Sequence, residues 1–381
     1  MSGNIIGKRF TLTYFGESHG NSIGAVVGGC PPGLKINAKD IQKELDLRRP
    51  GTSKVTTARS EKDRVIILSG ILNGITTGAP IAMIIKNKDT KSQDYNNILT
   101  LPRPGHADFP AWVKYGGHND IRGGGQFSAR LTAAYVMAGA IAKKLLSLHN
   151  IEIIAYVSEI GGIASKKMDF ESAKNLRYSN EVRCPDKQAA NKMKQKIIET
   201  KKEKDSLGGI IECKSINLPV GIGNPRFSSI DSDLGRIIFS IPAVKGIEFG
   251  SGFSSSKRKG SQNNDQYKIK NEKIISITNN SGGILGGLTT GMPLTFRVAF
   301  KPPSSISKEQ KSVNLKTKKE EKLIVKGRHD PCVLPRAVPI VEAVTALVIV
   351  DHVIDSGIIS NIIKRWKIVK KKRIAESKNR N

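Results

Sequence analysis

Apolar positions along the 381-residue chain change their spacing repeatedly, and each change predicts an element. Residues 8–30 read as a strand, a Gly-rich turn (Phe15-Gly16-Glu17-Ser18-His19-Gly20) and a second strand. Residues 38–47 carry a helical spacing, with Asn37 placed as N-cap. Two β-rich runs follow at 65–68 and 81–85, separated by Gly and Thr. Residues 103–125 are dense in Gly, Pro, His and Asp. They give way abruptly to a helical pattern over 128–148. Ala133, Ala134, Ala138, Gly139 and Ala140 allow another backbone close approach to that helix, which predicts a buried central position.

Further β-rich runs at 151–160 and 208–218 flank a charged helix. A helix over 230–238 leads to Pro242-Ala243-Val244-Lys245-Gly246. Residues 254–273, polar and rich in Gly, Ser and Lys, predict a long mobile loop. The Gly-rich segment 279–291 precedes a strand at 294–300 and a break at Lys301-Pro302-Pro303-Ser304-Ser305. A second basic loop is expected over 306–322, and a disordered Lys/Arg tail beyond 363. The most apolar stretch, 338–354, is interrupted by Glu342 and Asp351. It predicts a buried helix rather than a membrane span, with Pro339 in its first turn. There is no repeat of about 20–50 residues, which excludes solenoids and propellers.

Composition narrows the class. With 38% hydrophobic residues, the chain can build a sizeable core in one large domain or two ordinary ones. The start, Met1-Ser2-Gly3-Asn4, lacks the features of a secretory signal. Cys30, Cys184, Cys213 and Cys332 are scattered, with no CxxC or zinc-type spacing, which predicts reduced thiols, no metal and a cytoplasmic protein. The net charge of +29 raises the possibility of nucleic-acid binding. Aromatics are only 5%, however, and no basic segment interleaves them as stacking platforms. The abundance of Ile and Asn points to compositional drift rather than a nucleic-acid groove, and a basic surface favours small anionic ligands over cationic ones.

Candidate chemistry gathers in the Gly-rich loops. His19 and His106 each sit beside glycine, where an imidazole either exchanges protons with a ligand or caps a turn. Arg48, Arg49, Arg59, Arg103, Arg122 and Arg130 lie near the same loops, and a planar guanidinium suits phosphate and carboxylate. Taken singly, each is also consistent with a surface ion pair. Gly123-Gly124-Gly125 and the 280–287 segment either receive an anion or make packing turns. Asp330 is either an acid/base or the partner of Arg328.

Taken in order, GKRFTLTYFGESHG, RRPGTSK, RPGHAD, RGGGQFSAR, SIPAVKGIEFG, GSQNND, NNSGGILGG, KPPSSI and GRHDPC…RAVP resemble the chorismate synthase family from Gly7 to about Asp351. The resemblance implies an α+β fold, a single-domain β-α-β sandwich with helices between antiparallel sheets, over 1–363, followed by the 364–381 tail. It also implies a cytoplasmic homotetramer without nucleic-acid or membrane partners. The implied reaction is a 1,4-anti elimination of phosphate from 5-enolpyruvylshikimate 3-phosphate, giving chorismate for aromatic amino-acid biosynthesis. Reduced FMN is the implied cofactor. NADPH enters indirectly as the source of reducing equivalents, so FMN, FAD and NADP are the nucleotides associated with this function.

By motif, the resemblance assigns catalysis to His19 (proton to the departing phosphate), His106 (beside the flavin) and Asp330 (a proton relay). Ser18, Arg48, Lys54, Arg103 and Arg130 would bind substrate. Gln126, Phe127, Ser128, Pro242, Ala243, Gly286, Lys301, Pro302, Pro303, Ser304, Ser305 and Arg328 would bind the cofactor. The alternative within enzymes is an NADPH/FMN flavin reductase without lyase activity.

Overall fold

The computed structural model describes residues 3–49, 51, 61–87, 100–327 and 329–363. Lys54, Arg59, Arg328 and the 364–381 tail lie outside the described residues.

Five strands form the first sheet: β1 (Ile5–Ile6), β2 (Thr11–Gly16), β3 (Ser22–Gly28), β4 (Val65–Ile67) and β5 (Ile81–Lys86). Their order is β1-β2-β3-β5-β4, antiparallel throughout. Period-two alternation decides which face is buried. Ile81, Met83 and Ile85 point inward, as do Ile23, Ala25 and Val27 of the neighbouring strand.

The second sheet holds β6 (Glu152–Ile160), β7 (Ile163–Ala164), β8 (Gly209–Ile216), β9 (Val244–Phe249) and β10 (Leu294–Phe300). Its order is β9-β10-β8-β6-β7, again antiparallel.

Six helices matter here: α1 (Ala38–Arg48), α2 (Asp108–Lys114), α3 (Thr132–Ser147), α4 (Lys187–Lys202), α5 (Ile230–Ile238) and α6 (Leu334–Asp355). The Asn37 carboxamide accepts from Lys39 N (2.9 Å) and Asp40 N (3.3 Å), while Asp40 reaches back to Asn37 N (3.0 Å). This reciprocal cap satisfies donors that the first turn of α1 would leave unpaired.

The two longest apolar helices fill the space between the sheets. Helix α3 rests on β2 and β3, α6 rests on β6 and β8, and the helices pack on each other. At that contact, a Cβ on Gly139 would lie 2.4 Å from Ala343 Cβ, so the close approach expected from the Ala/Gly-rich stretch is realised. One hydrophobic core, from Ile23 through Val136 and Val344 to Val157, joins both sheets and the helices. The architecture is the expected α+β sandwich with helices between antiparallel sheets.

Helix α6 is long and apolar enough to cross a bilayer, yet protein surrounds it throughout. Its two buried acids are paired, as buried charges must be. Glu342 accepts from Lys143 (2.7 Å), Arg177 (3.1 Å) and Ala155 N (2.9 Å). Asp351 accepts from the backbone of Lys8, Arg9 and Phe10, pinning the turn between β1 and β2 to the helix.

Several local expectations are corrected. The C-terminal helix begins at Leu334, so Pro335 occupies its first turn and Pro339 lies inside it. The segment 254–273 is crossed by a 3-10 helix (Gly252–Lys257), a short helix (Gly260–Asn263) and a hairpin that pairs Tyr267–Lys270 with Lys273–Ser276. The segment 306–322 likewise pairs Gln310–Val313 with Glu320–Leu323. Both hairpins expose most of their side chains, and the one alternating stretch, Tyr267-Lys268-Ile269-Lys270, spans only four residues. The glycine run does not lead straight into α3. Residues 122–127 form a kinked 3-10 turn, and a second short turn (Ala129–Leu131) precedes Thr132.

Candidate active site

A cavity of about 770 Å³ opens where five segments meet, around residues 103–107, 123–132, 239–245, 300–305 and 329–340. Arg48, on the last turn of α1, reaches into the same space.

The 103–108 loop is held by its own charges. Asp108, in the first turn of α2, accepts from Arg103 Nε (2.7 Å), Arg103 Nη2 (2.8 Å) and Arg103 N (3.0 Å). Its Oδ1 also meets His106 Nδ1 at 2.6 Å. Burial alone would raise the Asp108 carboxyl, but hydrogen bonds from Arg103 and His106 outweigh it and hold the group well below the usual carboxylate range. Arg103 Nη1 donates to Ser305 (3.0 Å), which ties this loop to the 301–305 break. A second tie runs through the Gly105 carbonyl, which accepts from Lys301 Nζ (3.0 Å) and Ser304 Oγ (2.6 Å). Burial, and then the nearby Lys245, pushes the Lys301 ammonium below its ordinary value.

The glycine run explains itself in space. Gly123, Gly124 and Gly125 have φ of +62°, +85° and +52°, a region that side-chain-bearing residues avoid. A Cβ on Gly123 would meet Ser18 Oγ and His19 Cδ2 at 2.6 Å, and one on Gly124 would lie 3.5 Å from His106 Nε2. The two histidines therefore flank one stretch of bare backbone. His106 lines the cavity, whereas His19 is 9% exposed and lies behind Gly123. Ser18 also sits behind it, bonded to Gly125 O through its backbone (3.2 Å) and to Ser128 Oγ through its hydroxyl (3.2 Å).

Three arginines also line the cavity, and each is held by a carboxylate. Arg48 Nη1 lies 3.2 Å from Asp63 Oδ2, and Arg130 Nη1 bonds the other Asp63 oxygen. Arg130 also pairs with Glu61 at 2.6 Å. Arg336 pairs with Asp330. Burial, and then repulsion from Arg336, lowers the Arg48 guanidinium to about 9, which still leaves it cationic at neutral pH. Asp63 holds φ at +43°, an uncommon value for a non-glycine residue.

Of the residues expected to bind or react, Arg48, Arg103, His106, Gln126, Phe127, Ser128, Arg130, Pro242, Ala243, Lys301, Pro303, Ser304, Ser305 and Asp330 line this one cavity. Ser18, His19 and Pro302 are adjacent but not in its wall. Gly286 lies apart, exposed at the turn between Ile284–Leu285 and Leu288–Thr289. Arg328 and Lys54 fall outside the described residues. Asp330 meets Arg336 here, a pairing the sequence reading did not consider.

Sequence reasoning missed Tyr14, Tyr135, Ser240, Lys245, His329 and Arg336 in the wall, and Glu61 and Asp63 behind it. Tyr14 and Tyr135 stack edge to face with centroids 5.3 Å apart. The RPGHAD stretch did carry a signal for Asp108, an acid two residues from a histidine. Asp63 carried none, because its partners lie 15 and 67 residues away. No His/Cys/Asp/Glu group fit for a metal occurs among the described residues.

A partly apolar cavity that turns guanidinium, ammonium and imidazole groups toward one space defines an enzyme with a small-molecule substrate. The chorismate synthase family model matches residues 10–354. The chorismate synthase of Dehalococcoides mccartyi is 49% identical over 362 residues, covering 95% of this chain and 100% of its own. That of Methanococcoides burtonii is 52% identical over 357 residues, covering 94% and 97%. A crystal structure of chorismate synthase superposes with a TM-score of 0.73 at 30% identity, over 92% of this chain and 93% of its own. The chain belongs to the chorismate synthase family, whose members are lyases.

Proposed function

We propose that this chain converts 5-enolpyruvylshikimate 3-phosphate into chorismate by eliminating the 3-phosphate and the C6 hydrogen, with reduced FMN as cofactor. The observation that carries this reading is the convergence of Arg48, Arg130 and Arg336 beside His106 in one cavity. The substrate carries a phosphate and two carboxylates, and guanidinium groups prepositioned by Glu61, Asp63 and Asp330 meet such anions without reorganising.

The chain's residues suit FMN as well. Ile241, Val333 and Ile340 give the cavity an apolar wall, while Lys301, Ser304 and Ser305 supply cationic and hydroxyl donors at one end. At Gly105, where φ is +71°, an added Cβ would press on Ser304 Oγ at 3.3 Å, so the bare backbone keeps that end open. Lys301, Ser304 and Ser305, with Ser128 and Ala243, would hold the cofactor. Held there, reduced FMN would supply the transient electron density that lets phosphate leave in a net redox-neutral elimination.

The protein's own groups do the rest. Arg48 and Arg130 bind and orient the anions. His19, behind Gly123, delivers a proton toward the leaving phosphate, whose second pKa of about 6 suits that exchange. His106 presents a ring nitrogen at the cavity face for proton exchange, and Asp330, oriented by Arg336, continues the relay. The reading takes 1–363 as the catalytic domain of a cytoplasmic homotetramer, with NADPH acting only upstream as reductant.

The test is anaerobic phosphate release with and without chemically reduced FMN, on wild type and His106→Ala. Phosphate and chorismate should appear together, only with reduced flavin, and collapse in the variant. NADPH-driven flavin reduction without phosphate release would replace the lyase by a reductase.

A further inference from the structure

His106 stands one residue before the Ala107 N-cap and Asp108 is the first residue of α2, and their side chains meet at 2.6 Å between Nδ1 and Oδ1. The same Nδ1 lies 3.1 Å from Arg103 Nη2. A guanidinium only donates, so this second contact alone would require Nδ1 to accept, whereas the carboxylate requires it to donate.

The surrounding bonds resolve the conflict. Arg103 already directs Nη2 at Asp108 Oδ1 (2.8 Å), Nε at Oδ2 (2.7 Å) and Nη1 at Ser305 (3.0 Å). Its approach to Nδ1 follows from sharing Oδ1 with the imidazole. A bare Nδ1 at 2.6 Å from an ionised oxygen would oppose two lone pairs, and Asp108 is held ionised by its donors. The proton therefore lies on the imidazole nitrogen that faces the carboxylate. The other nitrogen, Nε2, is the one that faces Gly124 at the cavity.

We propose that Asp108 is a positioning residue that fixes the His106 proton on Nδ1, so that Nε2 meets the ligand as a proton acceptor. Arg103 then serves as the buttress of that carboxylate rather than as an arm for the substrate. Its guanidinium is 4% exposed and the carboxylate 8%, so water competes little for these bonds. The imidazole is 21% exposed on the same scale, which leaves its outer edge open to the cavity. The other charged group at this corner, Lys301, bonds the Gly105 carbonyl and not the ring.

The kinetic arm of the test rests on the elimination proposed above, whereas the spectroscopic arm does not. In ligand-free protein with 15N-labelled histidine, long-range proton–nitrogen correlation on the neutral ring should report the Nδ1–H tautomer for His106, assigned by its loss in His106→Asn. In Asp108→Asn the Nε2–H form should gain, and kcat for phosphate release should fall roughly 10–100-fold with KM little changed. A dominant Nε2–H form in the wild type, or an unaltered tautomer in Asp108→Asn, overturns the proposal. If Asp108→Asn does not fold, the wild-type spectrum alone decides. Tautomer control without phosphate release from any variant would leave the dyad standing and remove the elimination.

Discussion

The carboxylate of Asp63 lies 3.2 Å from the guanidinium of Arg48, and both side chains are all but closed to water. Arg130 takes the other oxygen of the same carboxylate. A single acid thus spaces two cations of the cavity wall. Asp63→Ala should destabilise the fold by about 3–5 kcal/mol, because it leaves buried charge without its partner. Asp63→Gly should lose about 1 kcal/mol less, since glycine accepts the φ of +43° freely. Urea titration of both variants checks this, and equal losses would remove backbone strain from the account.

Gly139 meets Ala343 where α3 crosses α6. Alanine is the better helix former by about 1 kcal/mol. Here its Cβ would lie 2.6 Å from Ala343 Cα, which cannot rotate away. Overpacking of this kind costs about 1–3 kcal/mol, so the clash outweighs the propensity. Gly139→Ala should lower the Tm, and a raised Tm would mean that the helices separate easily.

Acid should expose the Asp108 bonds. An ordinary aspartate titrates near pH ~4, and Asp108 titrates lower in the fold. Its pairing with Arg103 and His106 therefore stabilises fully above about pH 4 and is lost as the pH falls through the lower, folded value. The wild type should lose stability between about pH 4 and pH 2 more steeply than Asp108→Asn. Glu342 is also held below its usual value, against the push of burial, by Lys143 and Arg177. It is present in both proteins, so the difference between their urea midpoints isolates Asp108.

Lys301 is positioned for the anionic end of a cofactor, with Ser304 at 2.6 Å and Gly105 O at 3.0 Å. Lys301→Met should weaken oxidised FMN roughly 10–100-fold, the value of one charge-assisted hydrogen bond. Calorimetric titration of ligand-free protein reads this directly. An unchanged Kd would place the flavin phosphate elsewhere.

Much of the fold was legible because its causes are local. The Asn37 cap, the alternation in Ile81–Lys86 and the bounds Ile230–Ile238 follow from residues within a turn or two of one another. The hairpins at 267–276 and 310–323 were read as loops because their strands lie on the surface, where no buried face imposes a period of two. The kink at 122–127 escaped because three successive glycines permit helix, turn or strand equally, and only contact with Ser18, His19 and Asp120 selects one.

The sequence by itself determined the ordered motifs and the chemical character of the cavity, since residue types and short spacings carry these, and the layered class followed only from the family resemblance of those motifs. Tertiary structure alone decided that Asp63 would stand between Arg48 and Arg130, that Asp330 would meet Arg336, and that Gly123 and Gly124 would separate His19 from His106. Tyr14, Tyr135 and Ser240 entered the wall on the same terms. Such pairings join segments far apart in the chain. They depend on how two sheets and two crossing helices settle against each other, and close packing of the shared core sets that arrangement.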